Sequence, residues 1–359
     1  MRCGWAGDGE YPVAAIIGSW LPWCVIHDGS SMTVEPVCAA FGLAARPGAS
    51  ITALSRGAAG RIWHLDLGAD RYAVKELFVE SDEESVCREV AFTAHLQAAG
   101  IRLPGSVPGQ GGRFLVPLAG DSGDSWLRLY RWVDGVPADL ADPGLAAQIG
   151  DLLGRLHAHA LPAECEPDPW YETVPGPATW DQLADAARVH GASWSQALAG
   201  QVGLLADLAE LVAPAARDQL LTCHRDLHPD NVLVDGSGDL VLLDWDDAGP
   251  ACPDQELAGL MTFWHIHDDG RADDAAVGRT LAAYRSAGGP GHLCDERSFS
   301  MYIATRMNFL HGQASVALEP ATAPEHRQYA VSEIWDTLAR LPSLSLISHL
   351  ISLAKIAPG

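Results

Sequence analysis

The sequence predicts an α+β chain of two lobes, a β-rich front joined by a short connector to a mainly helical back. Residues 51–133 read as strands with one strong helix, and the chain after Asp134-Gly135 carries helical periodicity with one strand-loop-strand interruption at 221–244. The 359 residues suffice for two separate cores. The expected divisions are an N-terminal extension (1–31), a front lobe (32–133) and a helical lobe (134–359).

Composition narrows the classes of function. A hydrophobic share of 48% with 19% charged residues is that of a globular chain. No apolar run reaches the roughly 18 residues of a membrane span, so no membrane role is expected. The 23 basic residues face 46 acidic ones, a formal charge of −23, which repels phosphate backbones and argues against nucleic-acid binding. The same field would attract a cationic substrate, although solubility alone also accounts for acidity. The eight cysteines form no Cys-x-x-Cys pair and read as mostly buried thiols in a reducing, cytoplasmic setting.

In residues 1–31 the apolar run from Val13 to Ile26 contains Pro22 and follows Asp8 and Glu10, so it makes a poor signal peptide. Met32 opens the first helical segment, 33–43, and translation is expected to start there. Strands follow at 51–55, 61–67 and 71–77, the first two joined by Gly57-Ala-Ala-Gly60 and the next two by Gly68-Ala-Asp70. Ser81 with Glu84 is a capping-box signature for a helix to Ala99. Strands at 113–117 and 125–133 complete the front. Helices are expected at 143–160, 180–212, 254–268, 272–287, 296–317 and 324–340.

The strongest chemical signal is Cys223-His224-Arg225-Asp226-Leu227-His228-Pro229-Asp230-Asn231, followed after a short apolar strand by Leu242-Leu243-Asp244-Trp245-Asp246. The His-x-Asp-x-x-x-x-Asn spacing lets one loop offer a carboxylate to a substrate hydroxyl and an amide oxygen to a metal, and Asp244 adds a second hard ligand suited to Mg²⁺. A transition-metal hydrolase using His224, Asp226 and His228 would leave Asn231 and Asp244 unexplained. An ordinary polar turn has no packing reason for so many His, Asp and Asn residues. His228 and Asp230 read as local loop structure.

Here the chain resembles the aminoglycoside phosphotransferase and choline kinase-like family, in layout over roughly 45–340 and in close motif over 221–258. The resemblance implies a protein-kinase-like fold. It also implies that Asp226 orients or deprotonates the acceptor hydroxyl, that His224 holds the loop, and that Asn231 and Asp244 bind Mg²⁺. Pro253-Asp-Gln-Glu256-Leu-Ala is similar to the family's Pro-x-x-Asp-Leu-Ala, with Glu256 in place of Asp.

Only two of the basic residues are lysines, Lys75 and Lys355. Strand alternation puts Ala73, Lys75 and Leu77 on one face, and a lysine on an apolar strand face needs an anion. The kinase-like reading supplies the ATP phosphates and a glutamate of the next helix, for which Glu89 fits because Phe92 and Leu96 share its face. Ala73 matches the Ala-x-Lys pattern that packs on adenine. Gly57 and Gly60 let backbone N–H groups approach phosphates, with Ser55 beside them, or else merely close a hairpin. In the resembled family the backbone of the Leu129–Gly135 connector meets the adenine edge, which singles out Arg131 to Val133.

The acceptor end is thinner. Phe263-Trp-His-Ile-His-Asp-Asp269 mixes aromatics and acids, as suits an amino-sugar, yet also fits a core helix end with a solvated loop. Glu296, Tyr302, Arg306 and Asn308 are further cleft candidates. The function expected is ATP- and Mg²⁺-dependent phosphoryl transfer to a small-molecule hydroxyl, of a cationic antibiotic such as an aminoglycoside or of a choline- or amino-alcohol-type metabolite. A protein kinase is disfavoured, because Asp244-Trp-Asp replaces Asp-Phe-Gly and Pro253 leaves no room for an activation loop. A silent nucleotide-binding scaffold would require loss of a key group, and none is lost.

Overall fold

The computed structural model describes residues 32–57, 60–78, 82–120 and 123–356. Ser81, Ala58, Ala59 and the extension 1–31 lie outside them. In chain order the elements are α1 (Val34–Phe41), β1 (Ser50–Arg56), β2 (Gly60–Asp66), β3 (Arg71–Leu77), α2 (Glu83–Ala98), β4 (Ser106–Val107), β5 (Val116–Gly120), β6 (Gly123–Arg131) and β7 (Gly135–Pro137). Then come α3 (Leu145–His159), α4 (Pro177–Val189), α5 (Ser195–Ala209), β8 (Leu221–Cys223), β9 (Val232–Asp235), β10 (Leu240–Leu242) and β11 (Gly249–Ala251). Helices α6 (Pro253–Trp264), α7 (Asp274–Ser286), α8 (Ser300–Leu318), α9 (Pro324–Ala339) and α10 (Leu344–Ile356) finish the chain. Among the described residues no single helix is long and apolar enough to cross a membrane.

The chain divides into two compact units. Among the described residues, 32–138 and 230–247 form the first; 139–229 and 248–356 form the second. This differs from a cut at 133/134, because the segment carrying Asn231 and Asp244 groups with the β-rich front rather than with the helices that flank it in sequence.

In the first unit an antiparallel sheet runs β1-β2-β3-β6-β4, with β5 also on β6. Strand alternation sorts its two faces. Trp63, Leu65, Tyr72, Val74, Leu127 and Leu129 pack with Val37, Cys38 and Phe41 of α1 on one face. On the other, Leu77 meets Val86 of α2 and Leu115. Helix α2 is capped by Asp82, whose carboxylate accepts the Glu84 and Ser85 amides. Gly60 has a packing reason to be glycine: a Cβ there would lie 2.4 Å from the Glu76 carbonyl of β3.

A smaller sheet, β10-β9-β7, completes this unit. The β9–β10 turn is tied by Asp235, which accepts the Ser237 and Asp239 amides, and by Arg102, which pairs with both Asp235 and Asp239. The Ser237 hydroxyl and then its amide, with the Asp239 amide and Arg102 adding to them, hold the Asp235 carboxyl down at about 2.

The second unit is helical. Segment 180–212, expected as one helix, is two: Gly191 sits in the left-handed region (φ 65°) and Ala192 donates back to Ala187, ending α4 in a tight C-terminal turn before α5. Helix α10 lies beyond the helices expected from the sequence; it buries Leu346, Ile347, Leu350, Ile351 and Ala354. Helices α3 and α7 approach at two glycines, where a Cβ on Gly150 would lie 2.3 Å from the Thr280 carbonyl and one on Gly154 2.5 Å from that of Tyr284.

That close approach reverses a familiar sign. Gly→Ala inside a helix ordinarily stabilises by about 0.5–1 kcal/mol. Gly150→Ala is expected instead to destabilise by about 1–3 kcal/mol in urea unfolding, since backbone must move. Gly200→Ala in α5, where nothing stands within 4 Å, should stabilise.

Candidate active site

The first unit gathers five charged groups beneath the sheet. The Lys75 ammonium on β3 lies 2.7 Å from Asp244 Oδ1 and 2.8 Å from Asp246 Oδ2, with the residue only 9% exposed. Burial pulls its pKa down, but the two carboxylates outweigh burial and the ammonium is held above its ordinary value. Arg128 on β6 pairs with both Glu89 oxygens, at 2.6 and 2.8 Å, and with Asp246 at 2.7 Å. Asp246 therefore bridges the two cations. Burial alone would raise its carboxyl, yet Lys75 and Arg128 hold it below the ordinary range.

This corrects one expectation. Glu89 faces the cluster from α2, as its helix face requires, but its partner is Arg128 and not Lys75. The sequence-derived picture lacked Arg128 and the anchoring part of Asp246. Arg128 alternates with Leu127 and Leu129, which marks it as facing away from the α1 core, but only the register β3–β6, pairing Lys75 with Arg128, shows that the two cations stand opposite one another.

Asn231 closes a turn at Pro229–Asn231 and is buried. Its carbonyl accepts the Leu243 amide at 2.8 Å, which sets Asn231 beside the residue before Asp244 at the open end of the hairpin. Asp244 itself adopts φ 52°, a left-handed conformation uncommon outside glycine. The side chains these two positions carry, an amide oxygen and a carboxylate, are hard donors that fit Mg²⁺. Counted as ionised, the cluster has three acids to two bases, a balance that leaves room for a cation.

Of the remaining expected positions, Gly57 donates to the Gly60 carbonyl at 2.9 Å across the β1–β2 loop. Ala73 sits on β3 two residues from Lys75, on the same face. In the connector, the Arg131 amide is taken by Gly105 and its guanidinium lies over the Tyr72 ring; the Trp132 amide is taken by Arg71. Val133 is the residue of the three whose main chain makes no hydrogen bond to described residues.

The second unit holds the other part of the motif. Arg225 is left-handed (φ 69°), and its guanidinium stacks 3.7 Å over the Tyr171 ring. It also lies against Gly249, where a Cβ would sit 2.6 Å from the guanidinium. Glu256 of α6 accepts the Arg225 amide with one oxygen and meets His157 Nε2 at 2.6 Å with the other. His157 Nδ1 meets the Tyr284 hydroxyl at 2.7 Å, which in turn accepts the Gly291 amide. Burial would raise the Glu256 carboxyl, but His157 and its other partners hold it below the ordinary range. His157, Cys223 and Glu256 lie close enough to suggest a metal, but these hydrogen bonds already occupy both nitrogens of His157 and both oxygens of Glu256.

His224 is fully buried, and its Nδ1 accepts the Asp226 amide at 3.2 Å. The Trp264 indole donates to Leu227, pinning the loop onto α6. Asp226 lies 3.3 Å from His228 Nε2. Burial raises the Asp226 carboxyl, but His228, His224 and Arg306 outweigh burial and hold it at about 2. Phe263 stacks edge-on to the His228 and Tyr302 rings and lies under the Arg306 guanidinium. Burial pushes the Tyr302 hydroxyl up to about 12. Asn308 is tied to Trp170 and Thr173 carbonyls, and Asp268 and Asp269 lie in an exposed loop.

Asp226 and Glu256 both have folded-state pKa values below their unfolded ones, so their stabilisation is complete above about pH 5 and is lost as pH falls, for Asp226 through about 2. Glu256→Gln is expected to lower the melting temperature at pH 7 by more than at pH 3, measured by thermal melts across that range.

A sequence model of the phosphotransferase enzyme family matches residues 50–291. A homoserine kinase of Beijerinckia indica is 29% identical over 183 residues, covering 51% of this chain and 49% of that protein. The chain thus matches about half the length of this curated relative. Among solved structures, an aminoglycoside phosphotransferase from Alicyclobacillus acidocaldarius superposes with a TM-score of 0.57 at 17% identity, over 91% of this chain and 98% of that one. An amicoumacin kinase in complex with AMP-PNP, Ca²⁺ and Ami gives a TM-score of 0.56 at 16% identity, over 86% and 92%. Both share the fold expected from the motifs.

Proposed function

The chain belongs to the phosphotransferase enzyme family, and from that premise we propose that it moves the γ-phosphoryl group of ATP, with Mg²⁺, to a hydroxyl of a small molecule. The observation that carries this reading is the buried Lys75 set against Asp244 and Asp246, a cation and a divalent-metal donor set built into one unit. The amicoumacin kinase, solved in complex with AMP-PNP and Ca²⁺, supports the use of a nucleotide and a divalent cation.

In this reading Lys75 and the Gly57–Gly60 loop hold the phosphates, Ala73 lies against the adenine, and Val133 offers its main chain to the adenine edge. Asn231 and Asp244 would hold Mg²⁺, which would neutralise negative charge on the phosphates. Asp226 receives the acceptor hydroxyl. A carboxyl held at about 2 is ionised at neutral pH and only a weak base. Its task is to orient the hydroxyl and take the proton late, as suits a loose phosphoryl-transfer transition state. His224 and Glu256 hold the loop that presents it. Such catalysis rests on positioning and charge rather than covalent chemistry.

The acceptor is a small hydroxylated metabolite of the amino-alcohol or hydroxy-amino-acid kind. The homoserine kinase relative supports this, as does buried Arg306 beside Asp226, a charge unfavourable to a polycation. The formal charge of −23 favours the second reading, a cationic antibiotic such as an aminoglycoside. A reducing cytoplasm suits the six described cysteines, none of which forms a disulfide.

ADP release from Mg·ATP, measured across homoserine, amino-alcohols, choline and aminoglycosides, tests both. Release should depend on one acceptor class and fall about 10²–10⁴-fold in Asp226→Asn. Wild-type protein that binds no Mg·ATP would defeat the reading.

A further inference from the structure

We propose that Arg128 is a positioning residue for Lys75, acting through Asp246, and that it replaces direct contact between Lys75 and the α2 glutamate. The inference rests on the phosphotransferase reading above and deepens it at the same site.

Lys75 and Arg128 are directly paired across β3 and β6. Like charges opposite one another on a ladder repel, so an acid must stand between them. Asp246 does, with Oδ1 at 2.7 Å from Arg128 and Oδ2 at 2.8 Å from Lys75. Glu89 then takes both arms of the guanidinium, fixing its plane from α2. A planar guanidinium gripped at two points is stiff, whereas a lysine ammonium on a four-carbon stem is not. The stiffness of Arg128 is passed to Asp246, and Asp246 passes it to the ammonium. Because Asp244 is the carboxylate assigned to Mg²⁺, Asp246 is the anchor that Lys75 keeps when Asp244 is engaged. Arg128 touches no substrate in this scheme.

The alternative is that Glu89 governs Lys75 directly and Arg128 merely neutralises a buried acid. Both roles involve the same residues, so the test separates them by a cycle of full-length variants. Mg·ATP is titrated onto wild type, Glu89→Gln, Asp246→Asn and the double variant Glu89→Gln with Arg128→Met, which buries no lone charge from that pair. Wild type and Asp226→Asn provide the references, since nucleotide binding without turnover in Asp226→Asn shows the phosphate site intact. Thermal melts report folding alongside.

The expected result is a loss of nucleotide affinity of about ten- to a hundred-fold in the double variant, matched by a rise in KM for ATP, with no more than about three-fold in Glu89→Gln alone. Asp246→Asn should weaken binding as much as the double variant, and it carries the test if the double variant does not fold. Arg128→Lys, which keeps the charge and loses the fork, should restore part of the affinity. Equal losses in Glu89→Gln and the double variant would overturn the proposal in favour of direct control by Glu89. Wild-type affinity in the double variant, or in Asp246→Asn, would overturn it outright. Absence of Mg·ATP binding by wild type would instead bring down the functional reading on which it stands.

Discussion

A cation taken out of water costs several kcal/mol unless charged partners meet it with good geometry. Besides Arg61, the first unit buries Lys75 and Arg128, and these two stand within one layer of side chains. Three carboxylates answer them, and they come from separate parts of the chain: Glu89 from α2, Asp244 and Asp246 from beyond β10. This need accounts for the odd partition of the chain. A hairpin embedded in helical sequence is carried by the β-rich unit, because without its two acids β3 could not keep Lys75 buried. Arg102 and the Asp235 turn fasten that hairpin, so the acids arrive on a rigid support.

The same cluster shows what the sequence could and could not reveal. Lys75 stands out as a rare lysine on an apolar strand face, and Glu89 as an acid within an apolar helical stripe; both do face the cluster. The expected pairing between them is not formed: helix and strand periodicities give the face a residue uses and not its neighbour across the sheet. Arg128 follows the strand alternation that exposes its side, yet it is one arginine among 21, and nothing local separates it from a surface residue. Only register brings it opposite Lys75. Strand positions β1 to β3 were legible from alternation and glycine turns. The α4–α5 break hangs on Gly191 adopting a left-handed turn, a choice that helical periodicity on both sides conceals. Helix α10 is rich in serine and β-branched residues, whose weak helix preference hid an apolar face that packing makes decisive.

In the second unit the substitution of glutamate for aspartate at 256 gains a physical explanation. One oxygen must reach the Arg225 amide while the other meets His157, and the relay continues through Tyr284 to Gly291. Glu256 thereby joins four separated segments around the loop that carries Asp226. Being fully buried, it can remain charged only while these donors surround it, so loop geometry and helix packing stand or fall together.

Among the described residues two that are not glycine, Arg225 and Asp244, hold left-handed backbones, a conformation costing about 1–3 kcal/mol each. Such strain persists only where surroundings over-determine it. For Arg225 the surroundings are the Glu256 carboxylate on its amide, the Tyr171 ring under its guanidinium and the bare backbone of Gly249. For Asp244 they are the ammonium of Lys75 and the hairpin bond between Asn231 and Leu243. Each unusual turn precedes or bears an acid to which the proposed reaction gives a role, Asp226 in one unit and Asp244 in the other. A relaxed backbone at either place would turn the carboxylate elsewhere. The strain is therefore set at the two points where direction matters most, and the buried charges nearby are what sustain it.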